Sequence, residues 1–75
     1  MKSVKNLSFI KLQQDLIGNN VHFKSDCVFF PSFDVVGKVI RVTNIGTEII
    51  IEILTKNRKQ LKIGSNMKNL RYKIV

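Results

Sequence analysis

Val35-Val36-Gly37-Lys38-Val39-Ile40-Arg41-Val42-Thr43 is followed by Asn44-Ile45-Gly46 and then by Thr47-Glu48-Ile49-Ile50-Ile51-Glu52-Ile53-Leu54-Thr55. Most of the two flanking runs is β-branched, which suits a pleated, half-buried surface. Gly46 can take the positive φ of a tight turn, so the runs read as a β-hairpin. In the second run Thr47, Ile49, Ile51, Ile53 and Thr55 share one face, and Glu48 and Glu52 mark the other as wet. Ile50 and Leu54 lie on that wet face, which points to partial cover, the N-terminal helix being the candidate. In the first run Val39 and Val42 have opposite parity on a regular strand. A bulge between them turns both inward, and Gly37 belongs where backbones crowd at the bend.

Downstream, Lys56-Asn57-Arg58-Lys59 is a charged turn and Gln60-Leu61-Lys62-Ile63 a short strand stopped by Gly64-Ser65-Asn66. Met67 and Leu70 have the spacing of a single 3₁₀ turn. Arg71 to Val75 is a last strand with Tyr72 and Ile74 on one face and Arg71 and Lys73 on the other. Upstream, the spacing predicts a helix within 7–18, with Phe9, Leu12 and Leu16 on one stripe broadened by Ile10 and Ile17. Ser8 can cap its start, and Gly18-Asn19-Asn20 its end. So short a helix needs a sheet to pack on. Residues 20–25 form a short strand with Val21 and Phe23 on one face. From Ser25 to Asp34, Pro31 argues against a central strand, and the segment reads as a long connection with some aromatics turned inward. The expected core is Val39, Val42, Ile49, Ile51, Ile53, Leu61, Ile63, Leu70 and Ile74.

This order of elements resembles the SH3-like barrel. Val36-Gly37-Lys38-Val39-Ile40-Arg41-Val42, with Glu48-Ile49-Ile50-Ile51-Glu52 after the turn, resembles the KOW motif of ribosomal proteins and transcription elongation factors. The expectation is one domain, 1–75, mainly β: an SH3-like five-stranded barrel over 20–75 with an N-terminal helix at 7–18. Proteins of this fold bind RNA, DNA, polymerase, proline-rich peptides or other proteins, so the resemblance leaves function open.

A chain of 75 residues has no room for two domains or several crossover helices. With 44% hydrophobic residues it is too apolar for disorder, yet no apolar run approaches the roughly 18 residues of a membrane span. Cys27 is the single cysteine, which excludes an intramolecular disulfide and points to a reducing cytoplasm. No signal-peptide pattern follows the basic Met1–Lys5 start. Lys, Asn and Ile fill 27 of 75 positions, a bias expected of an AT-rich bacterial or phage genome.

The chain carries 13 Lys and Arg against 5 Asp and Glu, a formal net charge of +8. Residues 38–75 hold nine of the basic groups against Glu48 and Glu52, and beyond Thr55 there is no acid. A one-signed surface attracts polyanions, although it also serves solubility and protects strand edges. Lys56, Arg58, Lys59, Lys62, Arg71 and Lys73 are the candidate phosphate contacts, provided their strands lie close enough to make one face. Phe29, Phe30 and Phe33 are candidate aromatic contacts for bases or a partner peptide, against a bland role as a plug in the barrel.

Catalytic chemistry is poorly provided for. His22 and Cys27 are the lone representatives of their types, and no metal-ligand spacing occurs. Asp15, Asp26 and Asp34 fall on different elements, and no phosphate-cradling glycine motif is present. The expectation is therefore a non-enzymatic binding module without cofactor or metal. The leading partner is DNA or RNA, held through phosphates without strong sequence preference. The alternative is a protein-interaction module, such as a small phage or mobile-element protein that binds and modulates a partner protein through its loop aromatics or an exposed strand edge, the partner being an acidic protein surface or a second copy. An apolar patch at Ile50 and Leu54 left uncovered by the helix would favour that alternative.

Overall fold

The computed structural model describes residues 1–26 and 33–75. The β-branched run forms one long strand, β3 (Phe33–Ile45), paired antiparallel with β4 (Glu48–Leu54). Ile45 pairs with Glu48, so the hairpin closes through Gly46 and Thr47, slightly later than Asn44-Ile45-Gly46. Gly46 has φ of 61° at the first loop position, where a primed hairpin turn requires it.

The inferred bulge is present. Val39 pairs with Ile53 and Arg41 with Glu52, which leaves Ile40 as the extra residue. Val39 and Val42 are consequently both buried, while Ile40 and Arg41 face outward. The chain leaving the helix braces this point. The Val39 carbonyl accepts from the Gly18 N–H at 2.9 Å, and the Val39 N–H donates to the Asn19 carbonyl at 3.0 Å. Gly37 sits where the backbones crowd: a β-carbon there would lie 3.0 Å from the Leu54 carbonyl oxygen.

Four more strands, β1 (Lys2–Ser3), β2 (Asn20–Ser25), β5 (Gln60–Gly64) and β6 (Arg71–Ile74), complete an antiparallel sheet in the order β1-β6-β2-β3-β4-β5. Among the described residues there are six strands where five are expected. The additional β1 pairs Lys2 with Tyr72 and Ser3 with Arg71, too few residues to leave a readable pattern. The sheet is also not closed, since β1 and β5 stand at its two ends. β3 pairs with β2 over 33–38 and with β4 over 38–45, so the bulge divides the sheet into halves whose inner faces share one core.

That core combines Val21 and Phe23, Val39 and Val42, Ile51 and Ile53, Ile63, Leu70 and Tyr72 with Leu12 and Leu16 of the helix. Each fully buried side chain of this size contributes about 1.5–3 kcal/mol relative to exposure. Ile49 and Leu61 are half-buried against it. Ile74 departs from expectation: it has inward parity opposite Val21 but is 48% exposed. The helix presents the polar Gln14 and Asp15 at that end, and an open cleft remains over Ile74. Val4, which carries no strand or helix pattern of its own, is buried instead, with its N–H donating to the Leu70 carbonyl at 2.9 Å.

Helix α1 (Phe9–Leu16) packs against β3. Ser8 caps it, its hydroxyl accepting from the Lys11 N–H at 3.2 Å. The buried stripe is narrower than expected, for Ile10 and Ile17 are exposed. Eight residues span only about 12 Å, enough to seal part of the inner face through Leu12 and Leu16, with Phe9 half-buried against the same core. Ile50 and Leu54, on the outer face, lie outside the core packing, so the helix does not cover them. Between β5 and β6 the Leu70 N–H donates to the Met67 carbonyl at 3.3 Å, the expected single turn. The buried Ser25 anchors this segment by donating to the Lys68 carbonyl at 2.7 Å. The expected aromatic connection falls largely on residues 27–32, outside the described residues.

Candidate functional site

Lys56, Arg58 and Lys59 project from the turn joining β4 to β5 and are exposed. Thr55 builds this turn. Its N–H donates to the Lys59 carbonyl at 2.9 Å, its carbonyl accepts from the Arg58 N–H at 3.0 Å, and its hydroxyl accepts from the Lys59 N–H at 3.3 Å. The geometry holds Arg58 at φ of 61°, a left-handed conformation that costs a side-chain-bearing residue about 1–2 kcal/mol.

The register continues the basic surface along the outer face. Leu54, just before the turn, pairs with Lys38 on β3 and with Gln60 on β5. Glu52 pairs with Arg41 on one side and Lys62 on the other, and its carboxylate lies 3.4 Å from Arg41 Nε. Arg41 thereby offsets the one acid between these positions. Lys38, Lys56, Arg58, Lys59 and Lys62 form no ion pair among the described residues. Lys38 was not singled out from the sequence. The signal was its outward parity on β3, opposite Gly37 and Val39, which becomes informative only once Leu54 is known to be its neighbour.

Arg71 and Lys73 belong to a different neighbourhood, because β2, β3 and β4 intervene between β6 and β5 in the sheet. The Arg71 guanidinium is already engaged, with Nη2 3.2 Å from Asp26 Oδ1 and Nε donating to the Asn69 carbonyl at 3.2 Å. Lys73 pairs with His22, whose Nε2 contacts the Asp34 carboxylate; Lys24 Nζ lies 3.8 Å from the same group. The six sequence candidates thus divide into a group of four near the 55–59 turn and a pair interleaved with acids.

Phe33 opens β3 and is half-buried, packed against the core. Phe29 and Phe30 lie outside the described residues, as does Cys27. Among the described residues there is no cluster of three or more His, Cys, Asp or Glu that could hold a metal ion. No helix among them is long and apolar enough to cross a membrane.

Comparison of the chain with protein-family models, with curated proteins and with solved structures finds no match.

Proposed function

We propose that this protein is a non-enzymatic, nucleic-acid-associated module that binds phosphates through Lys38, Lys56, Arg58, Lys59 and Lys62. The observation that carries the reading is the concentration of these five cations around one turn and the adjoining strands, where the acid between them, Glu52, is engaged by Arg41, and the other acid of β4, Glu48, stands at the far end of the strand beside Gly64. Arg58 adds to it. A left-handed position favours glycine, and an exposed arginine placed there at an energetic cost is better explained by its charge than by stability. Contacts of this kind carry affinity and register without base identity. We further propose that the fold is an SH3-like barrel with a KOW-like hairpin. The order β6-β2-β3-β4-β5 and the bulged, bent β3 support it.

A protein-interaction role has one observation in its favour, the outer-face Ile50 and Leu54 left uncovered by the helix. The two readings separate in a binding measurement. Labelled oligonucleotides are titrated with wild type and with a Lys56→Gln/Lys59→Gln/Lys62→Gln variant near physiological salt. Micromolar binding that is lost in the variant supports the nucleic-acid role. Absence of binding by the wild type transfers the argument to a protein partner.

A further inference from the structure

Beside the basic turn lies a cleft of about 450 Å³ lined by Asn20, Val36, Gly37, Lys38, Leu54, Thr55, Lys56 and Val75. It opens where β4 ends its pairing with β3 at Lys38 and Leu54, while β3 continues back along β2 through Gly37 and Val36. Val36, Leu54 and Val75 make its walls apolar. Among the described residues, Lys38 and Lys56 are the only ionisable side chains in the lining, and both are cations of the proposed phosphate surface. Even with a terminal carboxylate on Val75, the lining keeps a positive balance.

An apolar recess bordered by cations matches a ligand with a flat apolar face attached to a phosphate. Duplex DNA keeps its base faces stacked and offers a surface mainly phosphate. A single strand can turn one base out of the stack, and recognition of single strands commonly relies on such unstacked bases. Gly37 has no side chain and lends the recess backbone only. Asn20 and Thr55 also line the recess; the Asn20 amide can meet a base edge, while the Thr55 hydroxyl, which accepts from the Lys59 N–H, has only its proton left to offer.

We infer that this cleft receives one unstacked nucleotide of a single-stranded nucleic acid, its base against Val36 and Leu54 and its phosphates on Lys38 and Lys56. The inference rests on the phosphate-binding reading above and deepens it by naming the strand state. It gives the otherwise unexplained exposure of Val36, at 41%, a purpose.

The test compares three fluorescein-labelled probes by anisotropy: an oligodeoxythymidine, an abasic strand of the same length, and the corresponding duplex. The abasic strand retains the phosphates and lacks the bases. Wild type should bind the oligodeoxythymidine about five- to tenfold more tightly than the abasic strand, the low end of the range for base stacking because the cleft walls are aliphatic. A Val36→Thr/Leu54→Thr variant should lose that preference and keep the salt dependence. Val36→Thr alone, at an exposed and still β-branched position, provides the same readout should the double variant fold poorly. Equal affinity of wild type for normal and abasic strands overturns the cleft assignment and leaves the phosphate reading standing. Tighter binding of the duplex than of the single strand also overturns it. Failure to bind any of the three probes overturns both.

Discussion

Gly37 and Leu54 face each other so closely that a β-carbon on Gly37 would stand 3.0 Å from the Leu54 carbonyl oxygen. The same atom would meet Ile53 Cδ1 at 3.1 Å and Cβ at 3.2 Å. A carbonyl inside a strand pair cannot swing aside as a side-chain end can. Gly37→Val should therefore cost about 1–3 kcal/mol through forced displacement. For a domain this small each kcal/mol lowers Tm by about 4–8 °C. Thermal melts of wild type and variant check this, and a variant melting within a degree of wild type would show that the bend tolerates a side chain.

Arg58 offers the opposite trade. Glycine relieves the left-handed strain at φ of 61° but loosens the unfolded chain, leaving a net gain of about 0.5 kcal/mol. Arg58→Gly should raise Tm by about 2–4 °C and weaken oligonucleotide binding. A variant that is both more stable and equally good at binding would remove Arg58 from the interface.

The division of the basic residues predicts unequal effects of equal charge changes. Arg71 is held by Asp26 and Asn69, whereas Lys59 has no ion-pair partner among the described residues. Lys59→Gln should reduce the magnitude of the log–log salt slope on duplex DNA by about 0.9, and Arg71→Gln should leave it almost unchanged. Breaking the half-exposed Arg71–Asp26 pair should cost no more than about 1 kcal/mol of stability. Parallel titrations of the two variants measure this contrast. Equal loss from both would mean that one broad basic face acts as a whole.

Much of the fold was legible because its strongest signals are local. The β-branched run, the turn at Gly46, the Ser8 cap and the parity change from Val39 to Val42 each follow from residues near in sequence, and each occurs in the structure. The failures depended on long-range arrangement. Ile74 has the parity of a core residue, but the helix meets that end of the sheet with the polar Gln14 and Asp15 and leaves an open cleft over it. Ile10 and Ile17 fit a helical stripe, yet the sheet meets only the Leu12 and Leu16 side. The site was half legible for the same reason. Lys56, Arg58 and Lys59 are neighbours in the chain. The addition of Lys38 and the separation of Arg71 and Lys73 follow from strand order, which no local pattern encodes.

The central claim is that five cations around the 55–59 turn, Lys38, Lys56, Arg58, Lys59 and Lys62, bind the phosphates of a nucleic acid. The salt dependence of oligonucleotide affinity tests it most directly. Full engagement predicts a log–log slope of about −4.5 on duplex DNA and about −3.5 on a single strand. Replacing all five cations with glutamine should bring the slope close to zero with the fold intact by circular dichroism. A wild-type slope near zero, or an unchanged slope in the folded five-fold variant, would contradict the account.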